Sequence, residues 1–93
     1  TADGSSTTAV DVTSAVTEIN ATSATHSCAM ADGSDGQIKI ILNTSTSGTN
    51  AITITPANFT NTSITLNAAG ESAICIFKSS KWYVIGGNGF TIA

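Results

Sequence analysis

Ninety-three residues with a net charge of −3 and a sequence pI near 4.5 suffice for one small domain, 9–93 behind a short arm, and supply no basic patch. That balance excludes binding driven by phosphate neutralisation, so no nucleic-acid partner is expected. Charged residues make up only 10% of the chain, far below the ~25% usual for globular domains, while Ser and Thr fill 28 of the 93 positions and give a polar but uncharged surface.

The longest apolar run is the five residues Ala73-Ile74-Cys75-Ile76-Phe77, so the sequence holds no membrane span and no signal-peptide core, and no membrane partner is expected. Beginning at Thr1 rather than Met, the chain reads as a processed product or the ordered part of something longer. Two cysteines, Cys28 and Cys75, are too few for a disulfide scaffold. Each lies in an alternating apolar pattern, where a free thiol behaves as a small hydrophobe.

Thr1 to Thr8 has no apolar period and reads as an extended N-terminal arm, a segment suited to attachment. Val10 and Val12 follow on one face of a short strand that could add to an exposed sheet edge. Val12, Val16 and Ile19 have helical spacing, yet the Thr and Val around them favour a strand with a register break. Thr25 to Met30 alternates, with His26, Cys28 and Met30 on one face. Two Asp-Gly pairs between Asp32 and Gly36 mark a turn. Gln37 to Asn43 then aligns Ile38, Ile40 and Leu42, predicting these three as core.

Beyond a polar loop, Ala51 to Thr55 points Ile52 and Ile54 inward and ends at Pro56, which cannot donate to a ladder. Phe59 falls in the next connection, and Ser63 to Asn67 repeats the alternation with Ile64 and Leu66. The densest apolar stretch comes last. Ser72 to Lys78 is apolar on both faces, as in a strand covered on two sides, with Cys75 and Phe77 inward. Ser79-Ser80 connects tightly to Lys81 to Ile85, where Trp82 and Val84 share the inward face and Tyr83 takes the other. Gly86 to Gly89 offers a reversal before Phe90-Thr91-Ile92, completing a C-terminal meander. Val10, Val12, Tyr83 and Phe90 are the candidate interface residues.

About eight short strands between Gly, Asn, Ser and Thr turns predict an all-β fold, a single small antiparallel β-sandwich or barrel. Strands apolar on both faces in so short a chain also predict an oligomer, with a homotrimer expected.

Chemistry is harder to find. His26 is the only histidine, and its neighbour Ser27 faces the other way, so the two cannot form a nucleophile and base. His26 and Cys28 point the same way, but one chain supplies too few ligands for a closed metal site. Asp32 to Gly36 lacks the spacing and the closing Glu of a calcium loop. The Gly86–Gly89 run leads to no helix that could hold a phosphate. No catalytic residue, metal or cofactor is therefore expected.

Four segments carry a resemblance: Asp32 to Leu42, Ala51 to Asn58, Ile64 to Phe77 and Lys81 to Gly89. They include Gly-Gln-Ile-Lys-Ile-Ile, Ala-Ile-Thr-Ile-Thr-Pro, Thr-Leu-Asn-Ala-Ala-Gly-Glu-Ser and Lys-Trp-Tyr-Val-Ile-Gly-Gly-Asn-Gly. In this order the series resembles small structural modules of tailed bacteriophages, especially marine and cyanobacterial phages. The resemblance covers about two thirds of the chain and matches its first 30 residues least. It implies a non-enzymatic protein of the virion surface, generally trimeric. The expected role is a capsid decoration, or cement, protein whose partners are its own copies and the major capsid protein or another virion protein. The alternative is a tail-fibre or head-fibre module that binds a host receptor or carbohydrate.

Overall fold

The computed structural model describes residues 2–4, 8–10, 12–21, 25–46 and 50–93. Short strands account for most of them: β1 (Ala2–Gly4), β2 (Thr8–Val10), β3 (Val16–Ala21), β4 (Thr25–Met30), β5 (Ile38–Asn43), β6 (Ala51–Pro56), β7 (Ile64–Leu66), β8 (Ser72–Lys78), β9 (Lys81–Asn88) and β10 (Thr91–Ile92). Eight of these form two four-stranded mixed sheets packed as a sandwich, β3-β5-β8-β9 and β10-β7-β6-β4, with no closure into a barrel. The three-residue strands β1 and β2 add a parallel edge to the first and second sheet respectively.

The antiparallel expectation holds for only part of the molecule. From β1 to β6 the chain changes sheet at every step. Each strand's neighbour is therefore the one two places along, and it runs the same way: β1, β3 and β5 pair in parallel, as do β2, β4 and β6. Only from β7 onward are the pairings antiparallel. Side-chain alternation tells which face of a strand is buried but not which sheet the strand joins.

Two further expectations give way for the same reason. Ala2–Gly4 pairs with Ile19–Ala21 and Thr8 opens β2, so this part of the predicted arm belongs to the sheets. Thr1 and residues 5–7 lie outside the described residues. At the other end, Gly86 to Asn88 continues β9 instead of reversing the chain, and β10 crosses to the second sheet to pair with β7. The C-terminal meander is therefore two strands, not three.

Ile52, Ile54, Ile64, Leu66, Cys75, Phe77 and Trp82 lie in the core, with Val84 partly buried against it. Ile38, Ile40 and Leu42, predicted as core, face outward, and Ile38 is 47% exposed. The inward positions of β5 are Lys39, Ile41 and Asn43, all fully buried or nearly so. Because the side-chain period is two, one polar anchor settles the whole strand.

Asn43 is that anchor. Its amide donates to the Asn50 and Leu66 carbonyls, both at 3.1 Å, and accepts from the Ser45 amide at 3.0 Å and hydroxyl at 2.6 Å. The Ser45 hydroxyl in turn accepts from the Ala21 amide at 3.0 Å. Both amide protons and the acceptor oxygen of Asn43 are thus used, which is what a buried amide requires. At the other end of the strand, the Lys39 ammonium donates to the Ser14 carbonyl at 2.9 Å and hydroxyl at 3.1 Å. Its four-carbon stem crosses the core edge while the charge reaches polar atoms.

Trp82 fills the opposite end of the sandwich. Its ring meets Phe77 edge-on at 5.1 Å, one pair along the hairpin from the Lys78 and Lys81 that flank the Ser79-Ser80 turn. The indole N–H donates to the Ala31 carbonyl at 2.9 Å. A Cβ on Gly33 would come within 2.9 Å of the indole ring, so the loop after β4 can lie over the tryptophan only with glycine there. The turn itself is of the two-residue hairpin type with positive φ at both serines, 54° and 66°. Asp35 holds it, accepting from the Lys78 ammonium at 2.8 Å and the Ser79 amide at 3.2 Å.

Trp82→Ala should lower stability by about 3–5 kcal/mol, since it empties a fully buried site, whereas Tyr83→Ala should leave the isolated domain's melting nearly unchanged. Thermal unfolding followed by circular dichroism compares the two, and equal losses would contradict this assignment. Asn43→Ala should cost at least about 2–3 kcal/mol, because the Ser45 and strand-end groups lose their partner inside the protein. Denaturant titration of that variant reads the loss.

Candidate interaction surface

The two outer faces of the sandwich differ in chemistry. On the second sheet Ser27, Thr53, Thr65 and Thr91 stand at one level across four strands, and Ala29 and Thr55 at the next. This is a hydroxyl-rich face that water satisfies. On the first sheet the middle of the outer face is apolar, between Glu18 and Ser72 at one end and Lys78 and Lys81 at the other. Val16 of β3 stands beside Ile40 of β5, which stands beside Ile74 of β8. One level along, Ile38 pairs with Ile76 and Ile76 with Tyr83.

A bulge extends the patch. The register of β8 against β9 shifts between Ile74 and Cys75, so Ile85 is the extra residue on β9 and points outward, 57% exposed. Gly87 is required nearby, since at φ 143° any Cβ would fall 2.3 Å from the Ser72 carbonyl. Val16, Ile38 and Tyr83 are 47%, 47% and 38% exposed. Scattered exposed apolar residues need no explanation, but a contiguous sheet face of them marks a contact surface.

The candidate interface residues separate. Tyr83 lies on this face, while Val10 is only 2% exposed, inside the core, and Val12 and Phe90 pack against the core partly buried. Val10, the last residue of β2, has its side chain inside the core, and this removes it from any outside contact. Reading the sequence by alternation missed Val16, Ile74, Ile76 and Ile85. The signal was present in Ser72–Lys78, apolar on both faces, and in the lysine and asparagine of the Gln37–Asn43 strand.

The chemistry-bearing residues do not converge. His26 is 2% exposed on the inward face of β4 opposite Ile52, and neither ring nitrogen meets a hydrogen-bond partner. Cys28, two residues on, and Cys75 in the other sheet are both buried, and no disulfide joins them. No group of three His, Cys, Asp or Glu side chains suited to a metal occurs among the described residues, and no cavity opens among them. Asp35 titrates below the usual carboxylate range because Lys78, and then the Ser79 amide, hydrogen-bond to its charged form.

Burial pushes the Cys75 thiol up to about 11 from 9.0. A raised thiol value means the folded state holds its proton more tightly than the unfolded chain. Its contribution to stability is therefore complete below pH 9 and lost as the pH rises from there to about 11. Cys75 should accordingly resist a maleimide at neutral pH until denaturant is added. Cys75→Ala should flatten that part of the alkaline loss of stability. Rapid labelling of native protein would contradict this burial.

Against these features stand the comparisons: no protein-family model matches the chain, and no curated protein or solved structure matches it significantly.

Proposed function

We propose that this chain is a non-enzymatic structural protein of the virion surface, a capsid decoration protein of a tailed bacteriophage. The observation that carries the reading is the outer face of the first sheet, an apolar surface built by β3, β5, β8 and β9 where an isolated domain would place polar side chains. The ordered series of segments from Asp32 to Gly89 resembles phage structural modules and supplies the setting. A small domain with few charges and a hydroxyl-rich second face is suited to lying on a shell and contacting neighbours through its apolar face.

The mechanism is cementing. Contacts made only in the assembled shell stabilise that shell, as any ligand stabilises the state it binds. The alternative, a fibre module that stacks on carbohydrate, loses its strongest candidate side chain, since Trp82 is fully buried. Tyr83 is the exposed aromatic that remains on the apolar face.

The test is to add the purified chain to phage heads that lack it and heat them while following DNA release. Occupied heads should hold their DNA to a higher temperature than bare ones. Unchanged release, or binding of the chain to tail fibres instead of heads, would overturn the decoration reading.

A further inference from the structure

We propose that the outer face of the first sheet is an interface between copies of this chain, with Glu18 of each copy set against the lysine corner of the next. This deepens the structural reading above, and rests on it, in treating the face as a contact surface rather than as part of a catalytic site.

The choice of register in β5 is the first argument. The strand could have buried Ile38, Ile40 and Leu42, but it buries Lys39 and Asn43 around Ile41 and turns its wholly apolar side outward. Exposing that side costs hydrophobic free energy at every position, which a covering surface restores. The second sheet, built with the same kind of short strands, turns hydroxyls outward, so the apolar face is not a general property of the chain.

Charge placement selects the occupant. Glu18 is exposed on β3, level with Leu42 and Ser72, and makes no ion pair among the described residues. Lys78 and Lys81 face each other at the far end of β8 and β9. Lys78 is engaged by Asp35, whereas Lys81 makes no ion pair among the described residues. Strand geometry puts the two corners about 20 Å apart along the strands and about 14 Å across them. An acidic or a basic partner would need one sign of charge on this face. It carries one sign at each end of a diagonal, with apolar side chains between.

A second copy turned about an axis in the interface plane, perpendicular to that diagonal, brings each Glu18 over the other's lysine corner. The strands of the two copies then cross steeply, as in orthogonal sheet packing. In projection the face covers about 300 Å², small beside a standard interface of about 800 Å² per partner, so association in the micromolar range is expected.

Sedimentation equilibrium of the whole chain from about 5 to about 500 μM tests this, the range in which such an interface fills. The average mass should rise above 9.3 kDa with concentration. Ile38→Asp and Ile85→Asp should each keep the circular dichroism spectrum and melting of a folded domain yet weaken association tenfold or more, since each buries a charge in the interface. Ile85, on the bulge, remains informative even if the Ile38 variant does not fold. Glu18→Lys and Lys81→Glu should each weaken association by about tenfold, and the double reversal should recover it.

A mass of 9.3 kDa throughout overturns the proposal, as does wild-type association in folded Ile85→Asp, or a double reversal no better than the singles. Head binding is read separately: heads that take up a chain with no self-association would leave the decoration reading standing and remove only this interface.

Discussion

Much of the structure depends on the enclosure of one side chain. Trp82 lies where two connections meet: the loop after β4 lies over its ring through Gly33 and holds its N–H through Ala31, and its backbone pairs with the β6–β7 connection. There the Trp82 amide donates to the Asn58 carbonyl at 3.1 Å, while the Thr60 amide reaches the Trp82 carbonyl at 3.3 Å. A domain this small has a modest core, so a single large ring accounts for a large share of what holds the two sheets together. Its Phe77 partner ties the ring to the hairpin, and Asp35 ties the hairpin back to the same loop. Local turn chemistry and long-range packing thus converge at one end of the sandwich.

The other end is closed by hydrogen bonds instead of bulk. Asn43, Ser45 and Asn50 satisfy strand ends of β3, β6 and β7, with Asn50 donating to the Ala21 carbonyl at 2.7 Å. Backbone bonds from Asn43 to Glu71 and from Gly70 back to Asn43 fasten the entry to β8 at the same point. This network leaves few buried groups without partners and fixes the parity of β5. Among the described residues His26 and Thr17 are the exceptions, with buried side-chain polar atoms that no partner meets. The outward apolar face of the first sheet is a consequence of that parity, not of a shortage of polar residues.

A surface of this kind and a hydroxyl-rich opposite face give the molecule two distinct sides. One favours contact with an apolar surface and the other favours water. The Cys75 thiol is packed in the core, and its raised value reports burial alone.

By itself the sequence determined that the chain is all-β and where most strands run. Period-two alternation and turn residues are local signals that survive without tertiary context, and Ala51–Pro56 and Ser72–Lys78 follow them closely. It also brought Trp82 near Phe77 or Cys75 across the tight Ser79-Ser80 turn, and the register of the hairpin selects Phe77. Tertiary structure alone decided which sheet each strand joined and therefore that β1 to β6 pair in parallel, since alternation carries no record of the partner. It decided likewise which side of Ile38–Asn43 faces in. Counting apolar residues favours Ile38, Ile40 and Leu42, but the strand ends that need Asn43 lie far away in the chain and come together only in the fold.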